Sequence, residues 1–569
     1  EVLMGLDVTV KIGGEAGQGI QTVGNLLAMA CHKAGLYIMA INDFESRIRG
    51  GHNFFQIRIS DRPVRGPNDR VNLLVGLDEK TLELHRREVV PDGLVIMDAD
   101  VSGAKEGILS IPITNLARKA GGEITANTVA AGVCLSLLGA PIEFFQNIIA
   151  KQFTGKSQKV IDENLEAARL GYEAVDQVNF ASVFEWNMQD AQGVLLSGDQ
   201  AFALGALAGD CRFVAFYPMS PSTGISMYLT SLTDRFPLVV EQVEDEIAAV
   251  NMVIGASFAG VRAMTTTSGG GFCLMTEGLG LAGITETPMV IINAQRPGPA
   301  TGLPTRTGQG DLHFVIRASQ DEFPRFVFAP GTPEDAFETT RRAFHLSEKY
   351  QVPAIILADQ YLIDSLYVTD GSFKVPDLVE RFVLEEHNRE EAAYYKRYAL
   401  TSSGVSPRAL PCRGKALVVA NGNEHHEDGD ISETIEDRNN MVDKRNAKLP
   451  QMIADVRPPQ VYYGKSKTLL VGWGSTFGIL NEVVELLRKD GVEIGHVHFT
   501  DVWPFPCEVA QAALKSAEQF ITVENNSTGQ LAQLIRQETG LGAAAKVLKY
   551  DGRPFYLNEL YDEVRMRVR

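Results

Sequence analysis

The chain has 569 residues, 45% apolar and 22% charged, a composition that excludes disordered, collagenous and low-complexity classes. At about 150 residues per domain the length predicts three to four domains, because one core does not grow to serve so long a chain. Fifty-three basic against 71 acidic side chains give a formal net charge of −18, which repels polyphosphate backbones and anionic lipid, so neither nucleic acid nor a membrane is an expected partner.

From Leu6 to about residue 178 strand and helix patterns alternate. Asp7-Val8-Thr9-Val10-Lys11-Ile12 has period two and runs into Gly13-Gly14-Glu15-Ala16-Gly17-Gln18-Gly19, after which Ile20, Val23, Leu27, Ala30 and Cys31 recur at helical spacing. Apolar runs at Val71–Gly76 and Leu94–Asp98 read as interior strands and favour a parallel sheet. A polar stretch at 179–195 is the expected linker. The next α/β domain, 196–370, opens on a helix from Asp199 to Ala208 and a strand at Arg212–Tyr217. Strands follow at Pro237–Val243, Arg262–Thr267 and Pro288–Ala294. Between them Glu244–Gly260 and Gly271–Glu286 are apolar on nearly every face and read as buried helices. Residues 371–465 carry acidic and basic runs and read as an extended charged connector with some helix. The βα rhythm returns at 466–569, with strands Thr468–Trp473, Val492–Phe499 and Phe520–Glu524. Three α/β domains with doubly wound sheets are expected.

The six cysteines stand dozens of residues apart with no Cys-x-x-Cys, so no zinc ribbon or iron–sulfur ligand run is expected in this chain. Sparse thiols fit a reducing compartment. Residues 1–7 lack the basic region and apolar core of a signal peptide, and no apolar stretch reaches membrane-spanning length. The expected location is the cytoplasm.

A glycine loop between strand and helix offers backbone N–H groups at the positive end of a helix dipole. Gly14, Gly17 and Gly19 do not follow Gly-x-Gly-x-x-Gly, and no Walker Lys-Ser/Thr pair follows; a phosphate cradle and a tight turn needing positive φ explain them equally well. Arg47 and Arg49, beside Gly50-Gly51, suit a phosphate-bearing coenzyme or an interface. Tyr217-Pro218-Met219-Ser220-Pro221-Ser222-Thr223-Gly224 lies at a strand's carboxyl end, where open α/β sheets place ligands, although a prolyl turn with a hydroxyl cap accounts for it on chemistry alone. Glu241, Glu244, Asp245 and Glu246 precede an apolar helix. Most of these acids complement the dipole; Glu246, followed by Ile247-Ala248-Ala249, is the one expected to be walled in, where desolvation raises a carboxyl pKa and lets it share a proton with a ligand nitrogen.

Taken together, Tyr217–Ser222, Glu246-x-Ala248-Ala249, Thr267-Ser268-Gly269-Gly270-Gly271-Phe272 and Gln295-Arg296-Pro297-Gly298-Pro299-Ala300-Thr301-Gly302-Leu303-Pro304-Thr305 resemble the alpha subunit of 2-oxoacid:ferredoxin oxidoreductases. The loop at Gly13–Gly19 resembles that family's gamma domain fused ahead of the alpha part, and Glu524-Asn525-Asn526-Ser527-Thr528-Gly529-Gln530-Leu531 resembles its transketolase-like C-terminal domain. The resemblance implies a thiamine diphosphate enzyme whose pyrimidine-binding domain is the middle one, most like the two-subunit enzymes acting on 2-oxoglutarate or several 2-oxoacids. Glu246 then matches the catalytic glutamate on the aminopyrimidine ring nitrogen, with Pro218 on the same side of the cofactor. Arg296 matches the residue holding the substrate carboxylate or carbonyl, and Ser220 and Thr305 supply hydroxyls; the family commonly has Thr at Ser220's position, so the hydroxyl is kept without the methyl that fixes its rotamer. Gly14, Gly17, Gly19, Arg47 and Arg49 fall to coenzyme A or to an interface. The product would be an acyl-CoA, succinyl-CoA for 2-oxoglutarate, with electrons passed to ferredoxin.

No Gly-Asp-Gly with a distant Asn is present, and Asp428-Gly429-Asp430 with Asn439-Asn440 is wrong in order and spacing. The resemblance therefore implies a beta subunit carrying the diphosphate site, Mg2+ and a 4Fe–4S cluster, in a dimer of heterodimers. His496 and His498 share one strand face without an evident third metal ligand, and read as an ordinary half-exposed strand; His425-His426-Glu427-Asp428 reads as solvated. Rival readings are a pyruvate or broad 2-oxoacid enzyme, a thiamine diphosphate subunit without electron transfer, and a scaffold that only keeps the fold.

Overall fold

The computed structural model describes residues 6–15, 19–46, 51–102, 106–175, 178, 186, 193–384 and 395–568. Gly17, Arg47 and Arg49 lie outside the described residues. Two compact units are formed, one from Glu1–Leu196, Ser365–Gly371 and Phe555–Glu563, the other from Ser197–Asp364, Ser372–Pro554 and Val564–Arg569.

In the first unit β1 (Asp7–Gly14) is buried at every position but its first. With β2 (Tyr37–Asp43), β3 (Asn53–Ser60), β4 (Val71–Gly76), β5 (Val89–Asp98), β6 (Leu109–Ile111), β7 (Val194–Ser197) and the late strand Leu366–Thr369, β14 in chain order, it makes one sheet ordered β6-β5-β4-β1-β3-β2-β14-β7. The half from β6 to β1 is parallel. The other half corrects the expected parallel sheet: β1 and β3, β3 and β2, and β2 and β14 pair antiparallel. Only residues 44–52 separate β2 from β3, too few for the crossover that parallel neighbours require. Two glycines set the helix packing. A Cβ at Gly132 would lie 2.5 Å from the Ala168 carbonyl oxygen and one at Gly171 would lie 2.1 Å from that of Val129, so helices Ala126–Leu137 and Gln158–Glu173 meet backbone to backbone.

The second unit holds two sheets. The larger, β18-β12-β13-β11-β10-β8-β9, contains β8 (Cys211–Phe216), β9 (Val239–Gln242), β10 (Arg262–Thr267), β11 (Met289–Gln295), β12 (Phe326–Phe328), β13 (Pro353–Asp359) and β18 (Asp501–Trp503). All its pairs are parallel except β12 with β18. Helices Glu246–Phe258 and Gly269–Ile284 pack on it through Val250, Val253, Met275 and Leu279. Their all-round apolar composition had pointed to full burial, yet Ile247, Met252 and Leu274 are exposed in the single chain. The smaller sheet, β15-β17-β16-β19-β20, is built from β15 (Gln460–Tyr462), β16 (Thr468–Trp473), β17 (Ile494–Phe499), β19 (Gln519–Glu524) and β20 (Ala545–Leu548).

The charged connector and two histidine-bearing segments hold more buried polar groups than their sequences indicated. Helices Ile435–Asn446 and Leu449–Asp455 lie within the expected charged connector, but part of its charge is buried: Lys444 Nζ donates to both Glu286 carboxylate oxygens at 2.6 and 2.8 Å, Lys448 Nζ donates to Glu286 Oε2 at 2.5 Å, and all three side chains are buried. The two ammonium groups hold the Glu286 carboxyl far below the carboxylate range against the pull of burial, so the run is charged because it answers a buried acid. His425, expected to be solvated, is buried with its ring 3.9 Å from that of Tyr398, while His426 stays half exposed beside Asp437. His496 and His498 are likewise buried, because β17 lies between β15 and β16 with Tyr462 and Phe477 against the imidazoles. Burial pushes His496 down to about 3.

Candidate functional site

The carboxyl ends of β8, β9, β10 and β11 converge on one edge of the larger sheet, the position at which open α/β folds bind ligands. After β8 the chain turns through Tyr217–Ser222, pinned by Ser222 Oγ donating to the Met219 carbonyl at 2.7 Å. Pro218 is half-buried and Ser220 exposed. After β11 comes Arg296, whose Nη1 donates to the Ser220 carbonyl oxygen at 2.6 Å. The two predicted residues thus meet, but through the Ser220 backbone; its hydroxyl is not the contact. Arg296 Nε is buried and has no hydrogen-bond partner among the described residues, and burial lowers the guanidinium pKa. Beyond it Gly302, at φ 52°, brings the Leu303 N–H to the Pro297 carbonyl at 2.9 Å; a Cβ at Gly302 would sit 1.9 Å from that oxygen. This turn delivers Thr305 to a buried position.

Glu246 begins the helix after β9. Asp245 caps it, accepting from the Ala248 N–H at 2.7 Å, so Asp245 satisfies the helix end and leaves Glu246 unused by it. Glu246 is 3% exposed, and its Oε1 has no hydrogen-bond partner among the described residues. Its wall is Thr267 and Gly271: a Cβ at Gly271 would come within 2.2 Å of Thr267 Oγ1 and 2.6 Å of Glu246 Oε1. Only glycine fits there. A buried carboxyl oxygen with no partner, in a cradle that a methyl would fill, suits a group that can share a proton with it. The ring nitrogen of a thiamine aminopyrimidine is such a group, since it accepts a hydrogen bond from a protonated carboxyl.

Sequence reasoning missed the residues behind this edge. Asp311 is half-buried, accepts from Asn293 Nδ2 at 3.1 Å, and has its carboxyl pushed up to about 6 by desolvation; a Cβ at Gly269 would strike it at 2.4 Å. Asp359, at the end of β13, accepts from the Ser475 hydroxyl and is pushed up to about 6 in the same way. Nothing local in the sequence marks either acid as withdrawn from solvent. In the first unit Gly14 ends β1 and Gly19, at φ 71°, caps helix Ile20–Lys33. A Cβ at Gly19 would lie 2.6 Å from Asn127 Nδ2, so the positive-φ turn is sufficient reason for that glycine. Among the described residues no group of three or more His, Cys, Asp or Glu is placed to hold a metal ion, and no helix is long and apolar enough to cross a membrane.

With this geometry in view, three family descriptions match the chain in order: pyruvate ferredoxin/flavodoxin oxidoreductase at residues 9–174, pyruvate flavodoxin/ferredoxin oxidoreductase, thiamine diphosphate-binding, at residues 204–444, and pyruvate:ferredoxin oxidoreductase core domain II at residues 466–560. The α/β sheet bearing Glu246 therefore belongs to the thiamine diphosphate-binding class. A 2-oxoacid:ferredoxin oxidoreductase subunit alpha of Sulfolobus sp. is 33% identical, covering 98% of this chain and 96% of its own. The 2-oxoglutarate oxidoreductase subunit KorA of Mycobacterium tuberculosis is 27% identical over 97% and 90%. A solved structure of 2-oxoglutarate:ferredoxin oxidoreductase from Magnetococcus marinus, with 2-oxoglutarate, coenzyme A and succinyl-CoA bound, superposes with a TM-score of 0.90 at 28% identity, covering 99% of this chain and 100% of that one. The chain belongs to the 2-oxoacid:ferredoxin oxidoreductase alpha-subunit family.

Proposed function

We propose that the chain is the alpha subunit of a 2-oxoglutarate:ferredoxin oxidoreductase, converting 2-oxoglutarate and coenzyme A to succinyl-CoA and carbon dioxide while two electrons pass to ferredoxin. The observation that carries the reading is the buried, unpartnered Glu246 Oε1 walled by Thr267 and Gly271. Thiamine diphosphate, when bound, supplies the nucleophilic carbon and electron sink for the decarboxylation. Glu246 holds a proton between its Oε1 and the aminopyrimidine ring nitrogen, and the tight wall keeps water from competing for it. Pro218 packs on the pyrimidine side. Arg296, steadied by the Ser220 carbonyl, turns its unpartnered Nε to the substrate carboxylate, and the Ser220 and Thr305 hydroxyls orient the rest of the substrate. In the first unit Gly14, Gly17, Gly19, Arg47 and Arg49 serve coenzyme A or an interface.

The diphosphate half, Mg2+ and a 4Fe–4S cluster belong to a beta subunit in a cytoplasmic dimer of heterodimers. The exposed apolar side chains Ile247, Met252 and Leu274 on the two helices support a partner there. The substrate choice rests on the Magnetococcus and Mycobacterium relatives; the Sulfolobus relative, described only by 2-oxoacid, favours a broad substrate range as second reading. Anaerobic co-purification with the partner, followed by coenzyme A-dependent dye reduction with 2-oxoglutarate, pyruvate and a branched 2-oxoacid, separates them. Turnover of 2-oxoglutarate alone is the expected result, turnover of all three supports the second reading, and none in a cluster- and thiamine-loaded complex overturns both.

A further inference from the structure

The loop carrying Thr305 continues through Thr307-Gly308-Gln309-Gly310-Asp311. Two glycines in five residues make this backbone costly to order, yet Gln309 is completely buried and every polar group of its backbone and side chain is engaged by the smaller sheet. Its Nε2 donates to the Trp473 carbonyl at 2.8 Å, and its Oε1 accepts from the Asn525 N–H at 2.9 Å. Its own N–H donates to the Asn525 carbonyl at 2.7 Å, and its carbonyl accepts from Asn526 Nδ2 at 3.2 Å. The neighbours repeat the pattern: Gln530 Nε2 donates to the Gly310 carbonyl at 2.7 Å, and the Thr307 N–H to the Gly552 carbonyl at 3.3 Å. The far end returns to the site, where the Asp311 N–H donates to Oε1 of Gln295, the residue before Arg296, at 3.0 Å.

Asn526 is itself rigid. Glu524 Oε2 accepts from its Nδ2 at 3.0 Å, and its Oδ1 accepts from the Gly529 N–H at 2.7 Å at the head of helix Gln530–Thr539. The Glu524–Leu531 run is thus a grip on a loop, with no polar group of Asn525 or Asn526 spent on a ligand in these contacts. We infer that Gln309 is a positioning residue through which the smaller sheet sets Arg296 and Thr305 for the 2-oxoacid. The inference rests on the function proposed above for those two residues. Glutamate cannot replace it, because a carboxylate would face the Trp473 carbonyl acceptor to acceptor.

The test uses the complex with its partner subunit and the variants Gln309→Glu, Gln309→Leu and Gln530→Ala. Backbone hydrogen exchange over residues 305–311 should quicken about tenfold or more in both Gln309 variants. The KM for the 2-oxoacid should rise about tenfold, with kcat changed much less and thiamine diphosphate affinity unaltered, since ground-state placement of the substrate is what is lost. Gln530→Ala, which removes only the outer bonds, should show the same pattern at roughly a third of the size and serves if the Gln309 variants do not assemble. Wild-type exchange and wild-type KM in the variants would overturn the inference, as would a fall in kcat and melting temperature together at constant KM, the mark of a merely structural role. If the wild-type complex turns over no 2-oxoacid, the functional proposal fails instead, and the exchange measurement alone decides whether Gln309 holds the loop.

Discussion

Two buried glutamates of the second unit stand just beyond or at the end of a parallel strand, each beside a helix N-terminus, and they are wired in opposite ways. Glu524 ends β19 and accepts from the Leu531 and Ala532 N–H groups at 2.8 and 3.1 Å, from Asn526 Nδ2 at 3.0 Å and from Trp473 Nε1 at 3.4 Å. Glu246 opens the helix after β9, and its Oε1 accepts from nothing among the described residues. Burial pushes the Glu524 carboxyl above the usual range while its donors pull it back. The contrast separates two uses of one side chain. A carboxyl saturated by its own chain holds the fold, and one left hungry is available to something that arrives later.

The sharpest way to break the contrast is Glu246→Gln. It should lower turnover of the reconstituted complex by about 10²–10⁴-fold, the worth of a positioned acid or base, with the urea midpoint unmoved; a variant that unfolds early yet turns over normally would reverse the assignment. Glu524→Ala should do the opposite. Four buried donors lose their acceptor at about 1–3 kcal/mol each before relaxation, so equilibrium unfolding should register a loss above about 3 kcal/mol while any surviving complex keeps its thiamine affinity. Gly271→Ala sharpens the comparison from the other side of the cradle. The new methyl meets Thr267 and Glu246 and should weaken thiamine diphosphate binding about tenfold or more, readable by calorimetry, at an overpacking cost of about 1–3 kcal/mol.

Acid titration extends the contrast to histidine. An unfolded imidazole takes its proton near about 6.5, whereas buried His496 takes it only near about 3. Between those values the unfolded state binds more protons, so stability must fall as the pH is lowered. His496→Phe should make the fall in melting temperature from pH 6.5 to pH 4 shallower. Asp359, raised to about 6, and Asp364, raised to about 7, work in the other direction: their contribution is complete below the unfolded aspartate pKa and is lost as the pH climbs through their native values. The smallest effect is Gly19→Ala in the first unit, about 1–2 kcal/mol for a left-handed alanine, visible as a modest shift in thermal midpoint.

The sequence made the α/β fold and its family legible because the signals were local. β4 is observed over Val71–Gly76, as its apolar run indicated, and the helix foreseen at Asp199–Ala208 begins one residue earlier. Glu246 stood out among its acidic neighbours because Ile247-Ala248-Ala249 follow it and would wall it in. What escaped notice depends on partners far along the chain. The charged run near Lys444 read as a connector because its buried partner, Glu286, lies 158 residues before it. The histidines of β17 looked half-exposed because alternation does not show what covers a strand's second face. Glu524–Leu531 was recognisable as a motif, yet its work is done on Gln309, more than 200 residues away.

The placement of β14 has a consequence for how the protein is made. In the finished sheet β14 lies between β2 and β7, yet it is encoded at Leu366–Thr369, long after the other strands. A ribosome-bound chain that has emerged only to Leu196 therefore presents the outer edge of β2 with its hydrogen-bonding groups unpaired, the kind of edge that recruits strands from other molecules. At about 5–20 residues per second the wait for β14 is roughly ten to thirty seconds. A further piece of the same unit, where Asn558 donates to Asp69 Oδ1 and Asn68 Oδ1, is made later still. The first unit thus waits on pieces made after much of the second, and shielding of the β2 edge during translation is what a chaperone would contribute to its folding.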